Sequence, residues 1–288
     1  MSILAIIILG IVQGLAELLP VSSSAHVIVV EKLLGLDPTS PEMTLVLAML
    51  HTGTMFAVIL YFWSGWRRTF FSSSAAIKRI IPLLAFSTFL TAIVGYPIIV
   101  GIEKIFLRGV EKAEIEMIFG DLRFVAAALA AAGLLILYSG LRRQSTPTST
   151  RENLDLRDAG WIGAIQGLCL PFRGFSRSGA TISTGLLLGL AKTRLEEYSF
   201  ALAVIITPPV VLREVLRLLK ARHDLTAGAG GVLHLFMPGV VAIVVSFLAG
   251  LVALGWLSRW LERGRWHYFG IYCLVASGGA LTLHLYGF

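Results

Sequence analysis

Apolar residues fill six stretches long enough to cross a bilayer, roughly Met43–Trp63, Ile80–Val100, Leu122–Leu141, Tyr198–Leu219, Leu233–Leu257 and Tyr268–Leu285. Each approaches the roughly twenty residues that a spanning helix requires. A further run, Ile3–Val12, is about half that length and stops at polar residues. Gln13 and Glu17 follow it at a four-residue spacing that puts both on one helix face. Pro20 then interrupts the helix, and Ser22, Ser23, Ser24 and His26 lead into a second short apolar run, Val27–Leu34. This pattern predicts a helical hairpin that dips into the membrane and returns, with its polar tip inside. Trp63, Trp66, Trp256, Trp260, Trp266 and Tyr268 lie near predicted span ends, where amphipathic rings favour the interface.

The pattern recurs. Gly163-Ala-Ile-Gln166-Gly-Leu168 repeats Gly10-Ile-Val-Gln13-Gly-Leu15, and each copy proceeds to a proline and a serine-containing turn. Each half then holds one short hairpin and three spans, and an odd number of spans inverts the second half relative to the first. The expected fold is an all-α integral membrane protein with six transmembrane helices plus two re-entrant helical hairpins in an inverted-topology repeat. The first repeat covers 1–141 with its hairpin at 1–36, a polar linker covers 142–158, and the second repeat covers 159–288 with its hairpin at 159–192. Inverted repeats bring two such hairpins together near the bilayer midplane, so the two tips are expected to share one cavity.

Composition supports the membrane reading, with 56% hydrophobic and only 14% charged residues. The net charge of +7 does not point to nucleic acid, because the basic residues sit in short clusters beside apolar spans. Arg67, Arg68, Lys78, Arg79, Arg142, Arg143, Arg151, Arg157, Arg259, Arg263 and Arg265 fall in one set of alternate loops. The other set carries chiefly Lys32, Lys104, Arg108, Lys112, Lys220 and Arg222, offset by Glu103, Glu111, Glu114 and Glu116. The positive-inside rule puts the first set in the cytoplasm and both termini outside. Cys169 and Cys273 lie far apart in apolar stretches and read as small core residues rather than a disulfide or thiolate site. The N-terminus lacks the basic region and cleavage site of a signal peptide and is expected to stay in the mature chain.

The chemistry concentrates in the tips. Pro171–Thr181 places Arg173 and Arg177 among hydroxyls and glycines between apolar stretches. An arginine at hydrocarbon depth costs roughly 2.5–3.5 kcal/mol on insertion scales and calls for an anion or a watery cavity. Gly174 and Gly179 let backbone N–H groups curl round a phosphate, the run from Ile182 presents a helix N-terminus, and Arg177 adds a charged fork. Glu17 and the Gln13 carbonyl are hard oxygen ligands suited to Mg²⁺ or Ca²⁺. His26 titrates near neutrality, and Ser23 precedes it by three residues, so hydroxyl and imidazole are placed to meet as nucleophile and base. Spacing alone leaves the attacking group open between Ser23, His26 and activated water.

Other polar residues have plainer readings. Ser22 and Ser24, taken alone, cap helix ends or bond backbone. Gln166 either braces the repeat or contributes a ligand. His51 has no partner at helical spacing and reads as packed or cavity-lining. Glu31-Lys32 and Glu196-Glu197 are expected at solvated helix ends. Ser183, just beyond the second tip, is expected to tolerate alanine.

Gln13-Gly-Leu-Ala-Glu17-Leu-Leu-Pro20-Val-Ser-Ser-Ser-Ala-His26 resembles the first motif of the undecaprenyl-pyrophosphate phosphatase family, BacA/UppP. Gly174-Phe-Ser176-Arg177-Ser178-Gly-Ala-Thr181 resembles its second motif. The resemblance implies a bacterial inner-membrane enzyme that hydrolyses a C55 polyprenyl pyrophosphate to its monophosphate for reuse in cell-wall synthesis, with dependence on a divalent cation, homodimers and bacitracin resistance as associated features. By position it implies Glu17, Ser23, His26 and Arg177 as catalytic residues. It likewise implies Gly174, Ser176, Arg177, Ser178 and Thr181, with Ser22, as the phosphate-binding set, and Gln13 and Glu17 as the metal pair. Two departures stand out: Phe172 and Arg173 intervene between Pro171 and Gly174, and Ala25 replaces the glycine usual before the histidine. A transporter or flippase of a polyprenyl phosphate is the alternative, since it needs the same phosphate cradle. A cation channel fits poorly, because no carboxylate ring is evident and a tip arginine repels cations.

Overall fold

The computed structural model describes residues 2–37, 40–106, 121–145, 151–223 and 232–287. Their regular structure is helical: α1 Ile3–Leu18, α2 Ser23–Leu33, α3 Pro41–Thr69, α4 Ser74–Phe106, α5 Leu122–Ser145, α6 Leu156–Cys169, α7 Arg177–Leu187, α8 Lys192–His223, α9 Val232–Glu262 and α10 His267–Leu285. Six of these, α3, α4, α5, α8, α9 and α10, are long and apolar enough to cross a membrane, so the chain is a multi-pass membrane protein. The other four are short. They contain 16, 11, 14 and 11 residues, all below the length of a span. Of the linker expected at 142–158, residues 146–150 lie outside the described residues, as do Arg108, Glu111, Lys112, Glu114 and Glu116 of the charge argument. Helix α6 already begins at Leu156, where Asp155 and Asp158 form a reciprocal capping box that satisfies the first-turn donors.

Packing pairs the two halves of the chain. Helix α1 lies along α9 and α6 lies along α4, while α3 packs on α8 and α5 on α10. The α1–α9 and α6–α4 seams depend on matching glycines. A Cβ on Gly14 would stand 2.5 Å from the Ala249 Cβ and 2.6 Å from the Ser246 carbonyl. On Gly167 it would meet the Thr91 carbonyl at 2.7 Å and the Val94 Cβ at 2.8 Å. Such small-residue contacts let backbones approach where no hydrophobic force drives helices together in lipid. Buried Gln166 locks the second seam, its amide nitrogen donating to Thr91 Oγ1 at 3.0 Å. Of its two sequence readings, this contact is the brace.

The basic clusters gather at one end of the bundle. Arg151 donates both to Asp158 at the start of α6 and to the Leu188 carbonyl at the end of α7, which holds the two ends of that helix pair together. Near it, Arg194 pairs with Glu152 and Lys192 reaches the Glu262 carbonyl. Thr69, at the end of α3, bonds to Glu197. The opposite end carries Asp121, before α5, with His284 near the end of α10.

Four surface expectations are overturned. Glu196 is 5% exposed and Glu31 3%, not solvated. Helix α8 starts at Lys192, so Glu196 lies a turn inside it, where it accepts from Ser258 at 2.9 Å. Glu31 faces inward from α2, with the Arg173 charge nearby. Trp66 and Trp266 are buried rather than interfacial, because their indole N–H groups bond inside the bundle, to the Glu197 carbonyl and to Ser183 Oγ, each at 3.0 Å. Ser183 is therefore a buried acceptor and not an incidental residue. Both cysteines are buried, as expected.

A candidate active site where two helix turns meet

The α1–α2 turn is built against its own preferences. Ser22 has φ 67° and is the one non-glycine residue with positive φ among the described residues. That backbone region costs a non-glycine residue on the order of 1–3 kcal/mol and persists where surrounding structure dictates it. Across from it, the α6–α7 turn passes through Gly174 at φ 109°. Here a Cβ would lie 2.6 Å from the Val125 carbonyl, so only glycine fits. Ser176 then caps α7, its hydroxyl accepting from the Gly179 N–H at 3.2 Å. Arg177 is consequently the first residue of α7, at the positive end of its dipole.

The two turns bind each other. The Gly174 N–H donates to Ser24 Oγ at 3.3 Å, Ser178 Oγ donates to the Leu19 carbonyl at 3.4 Å, and Arg177 Nη2 donates to Glu17 Oε1 at 3.0 Å. Glu17 is the hub. Its Oε2 accepts from Ser23 Oγ at 2.5 Å and from the Gln13 amide at 3.2 Å, and His51 Nε2 stands 3.8 Å away. A cleft beside the Glu17–Arg177 pair opens between α3 and α8, lined by Thr54, Met55 and Thr207 among others. Arg177 has one nitrogen to spare: Nη1 is buried and has no hydrogen-bond partner. A buried charged N–H without an acceptor is costly, and an arriving anion would satisfy it.

Ser23 and His26 do not meet as the helical spacing suggested. The Ser23 hydroxyl turns to Glu17, since a carboxylate outcompetes a neutral imidazole as acceptor. His26 is held by other groups, Nδ1 by the Ser22 carbonyl and Nε2 by the Tyr272 hydroxyl, both at 2.7 Å. His51 also departs from its reading, because helix α3 carries it to the same carboxylate. Neither Tyr272 nor His51 could be placed by spacing, since long-range packing of α10 and α3 brings them in. Within the expected phosphate set, Thr181 is buried with its hydroxyl bonded to the Arg177 carbonyl at 2.9 Å and to Ser199 Oγ at 2.6 Å. Ser176 and Ser178 are buried too, leaving Arg177 as the member with an unfilled donor.

A divalent cation fits this site only in a particular way. Among the described residues no group of three His, Cys, Asp or Glu is placed to hold a metal, and Glu17 alone supplies a carboxylate. Gln13 presents its amide nitrogen to that carboxylate, so its oxygen would face a cation only with the amide turned over, and one carboxylate suits a cation that draws most of its shell from phosphate oxygens and water.

Comparison with known proteins is consistent across the chain. Residues 6–279 match the family model described as bacitracin resistance protein BacA. The chain is 52% identical over 284 residues to undecaprenyl-diphosphatase 2 of Acinetobacter baylyi, with 98% of each chain covered. It is 34% identical over 292 residues to undecaprenyl-diphosphatase 3 of Frankia casuarinae, covering 98% of this chain and 97% of that one. It is also 34% identical over 288 residues to an undecaprenyl-diphosphatase of Parabacteroides distasonis, covering 96% of each.

Proposed function

Since the chain belongs to the BacA family of bacitracin resistance proteins, we propose that it is an undecaprenyl-diphosphatase, hydrolysing the C55 lipid diphosphate to the monophosphate and inorganic phosphate. The observation that carries this reading is the cluster formed across two turns: a carboxylate, a hydroxyl bonded to it and an arginine with a spare buried donor. Arg177 Nη1 and the α7 N-terminus receive the terminal phosphate and stabilise the charge that develops on it. Ser23 Oγ attacks the terminal phosphorus while its proton passes to Glu17 Oε2. The bridging P–O bond breaks, and the lipid monophosphate leaves with that proton. Water then cleaves the phosphoserine: His26 accepts a proton from it, the Oγ–P bond breaks, and Ser23 Oγ takes up that proton from His26 by way of water as phosphate departs. Glu17 and, with its amide turned over, Gln13 would hold a divalent cation such as Mg²⁺ or Ca²⁺, which would offset charge on the phosphate oxygens.

The two short helix pairs act as re-entrant hairpins in an inverted repeat. Their lengths support this, as do the matching α1–α9 and α6–α4 seams and the Arg151 clasp that returns α6–α7 to the end where it began. The protein sits in the bacterial inner membrane with the arginine-rich end in the cytoplasm and both termini in the periplasm. Homodimers are part of the proposal, carried by the family alone.

A polyprenyl-phosphate carrier would need Arg177 but not a hydroxyl bonded to Glu17. Acid quenching of purified protein with terminally ³²P-labelled undecaprenyl diphosphate separates the readings. Label on Ser23, lost in Ser23→Ala together with phosphate release, is expected. Phosphate-free, unlabelled protein that still binds the lipid would favour the carrier.

A further inference from the structure

Helix α10 contributes a group that the two motifs do not contain. The Tyr272 hydroxyl lies 2.7 Å from His26 Nε2, and the two rings stack with centroids 5.6 Å apart and planes inclined by 13°. The other ring nitrogen, Nδ1, lies 2.7 Å from the Ser22 carbonyl. A carbonyl only accepts, so Nδ1 carries the proton, and in the neutral ring Nε2 is the acceptor. The phenol therefore donates to it. The contact is anchored on both sides. Ser22 offers its carbonyl from the strained backbone of the first turn, and Cys273, next to Tyr272, reaches the Pro20 carbonyl of that same turn at 3.4 Å. Tyr272 itself is 47% exposed on α10, so its ring is not held by the core. Its hydroxyl is what ties the ring to His26.

We propose that Tyr272 is a positioning residue for His26: with the Ser22 carbonyl it fixes the tautomer and plane of the imidazole, so that the basic nitrogen is Nε2 and is held until the O–H of the attacking water replaces the phenol. Its consequence for turnover rests on the phosphatase reading above; the contact itself does not. Ser23, by contrast, is tied to Glu17. The two groups read from sequence as one catalytic pair are thereby separated into two stations, a nucleophile on Glu17 and a base on Tyr272.

The test uses the full-length protein in detergent with ¹⁵N-labelled histidine, wild type beside Tyr272→Phe, which keeps the ring and removes the hydroxyl. Wild-type His26 is expected to show a protonated Nδ1 and an unprotonated, hydrogen-bonded Nε2. In Tyr272→Phe the Nε2 resonance moves toward that of a free acceptor, and carbethoxylation of His26 by diethyl pyrocarbonate quickens several-fold. The rates at His51 and His284 stay unchanged, which separates a freed nitrogen from a loosened fold. Turnover moves the other way, kcat falling roughly tenfold with KM little changed, as expected when a reacting group loses its orientation. A wild-type His26 protonated at Nε2 would overturn the proposal whether or not the variant folds. An unchanged Nε2 resonance and unchanged reactivity in Tyr272→Phe would do the same. Absence of phosphate release by wild type, with the nitrogen signature present, would count against the phosphatase and leave the Tyr272–His26 contact standing.

Discussion

Glu17 and Arg177 were legible in the sequence because charge between apolar runs has few physical explanations, and the structure joins them at 3.0 Å. What the sequence could not show is how each polar group spends its hydrogen bonds. Ser23 was spaced to reach His26 but is bonded to Glu17, and His51 and Tyr272 enter from helices far away in the chain. Ser183 makes the same point outside the site. It looked incidental beside the second motif, yet it accepts from the buried Trp266 indole. Ser183→Ala leaves that N–H unsatisfied, and a loss of about 1–3 kcal/mol is expected. Thermal unfolding in detergent reads it as a lowered midpoint, while turnover per folded molecule is retained because Ser183 touches none of the proposed reacting groups.

Helices were read from hydrophobic length, and that signal located all six candidate spans. It was weakest at their ends, which depend on individual polar partners. Helix α8 begins at Lys192, six residues before the apolar run from Tyr198, because Glu196 and Glu197 find partners in Ser258, Thr69 and Arg194. Helix α5 has a comparable device at its N-terminal end. Asp121 accepts from the Arg123 backbone N–H at 2.8 Å and from its guanidinium. The Arg123 side-chain hydrogen bond leads the causes that pull the Asp121 carboxyl down to about 2 from an ordinary 3.8. A depressed folded-state value means that the stabilisation is fully present above the ordinary value and is lost as pH falls through the folded one. The unfolding midpoint of wild type should therefore exceed that of Asp121→Asn at pH 6, and the gap should close progressively below about pH 4. The pair is partly exposed, so the gap is small. A gap that widens on acidification would contradict the assignment.

The repeat of Gly10–Leu15 in Gly163–Leu168 is the basis of the proposed two-part architecture, and the glycine seams of α1 with α9 and α6 with α4 give that repetition a physical use. The proposed arrangement in the bilayer rests on charge. Because Cys169 and Cys273 are buried, the native chain should resist a membrane-impermeant maleimide, and added cysteines report topology cleanly. Ser2→Cys is expected to label in intact cells stripped of outer membrane, and Ser72→Cys, in the turn after α3, only once the inner membrane is opened; the reverse pattern would invert the orientation. The central claim is that the spare nitrogen of Arg177 receives a lipid diphosphate which the Ser23–Glu17 pair then cleaves. Its most direct test is inorganic phosphate release from undecaprenyl diphosphate by purified wild type and Arg177→Ala, each with Mg²⁺ or Ca²⁺ and then with a chelator. Wild type should release phosphate only with the cation, and Arg177→Ala, folded and membrane-inserted, should lose at least about a hundredfold in rate. Turnover by Arg177→Ala at the wild-type rate would contradict the account.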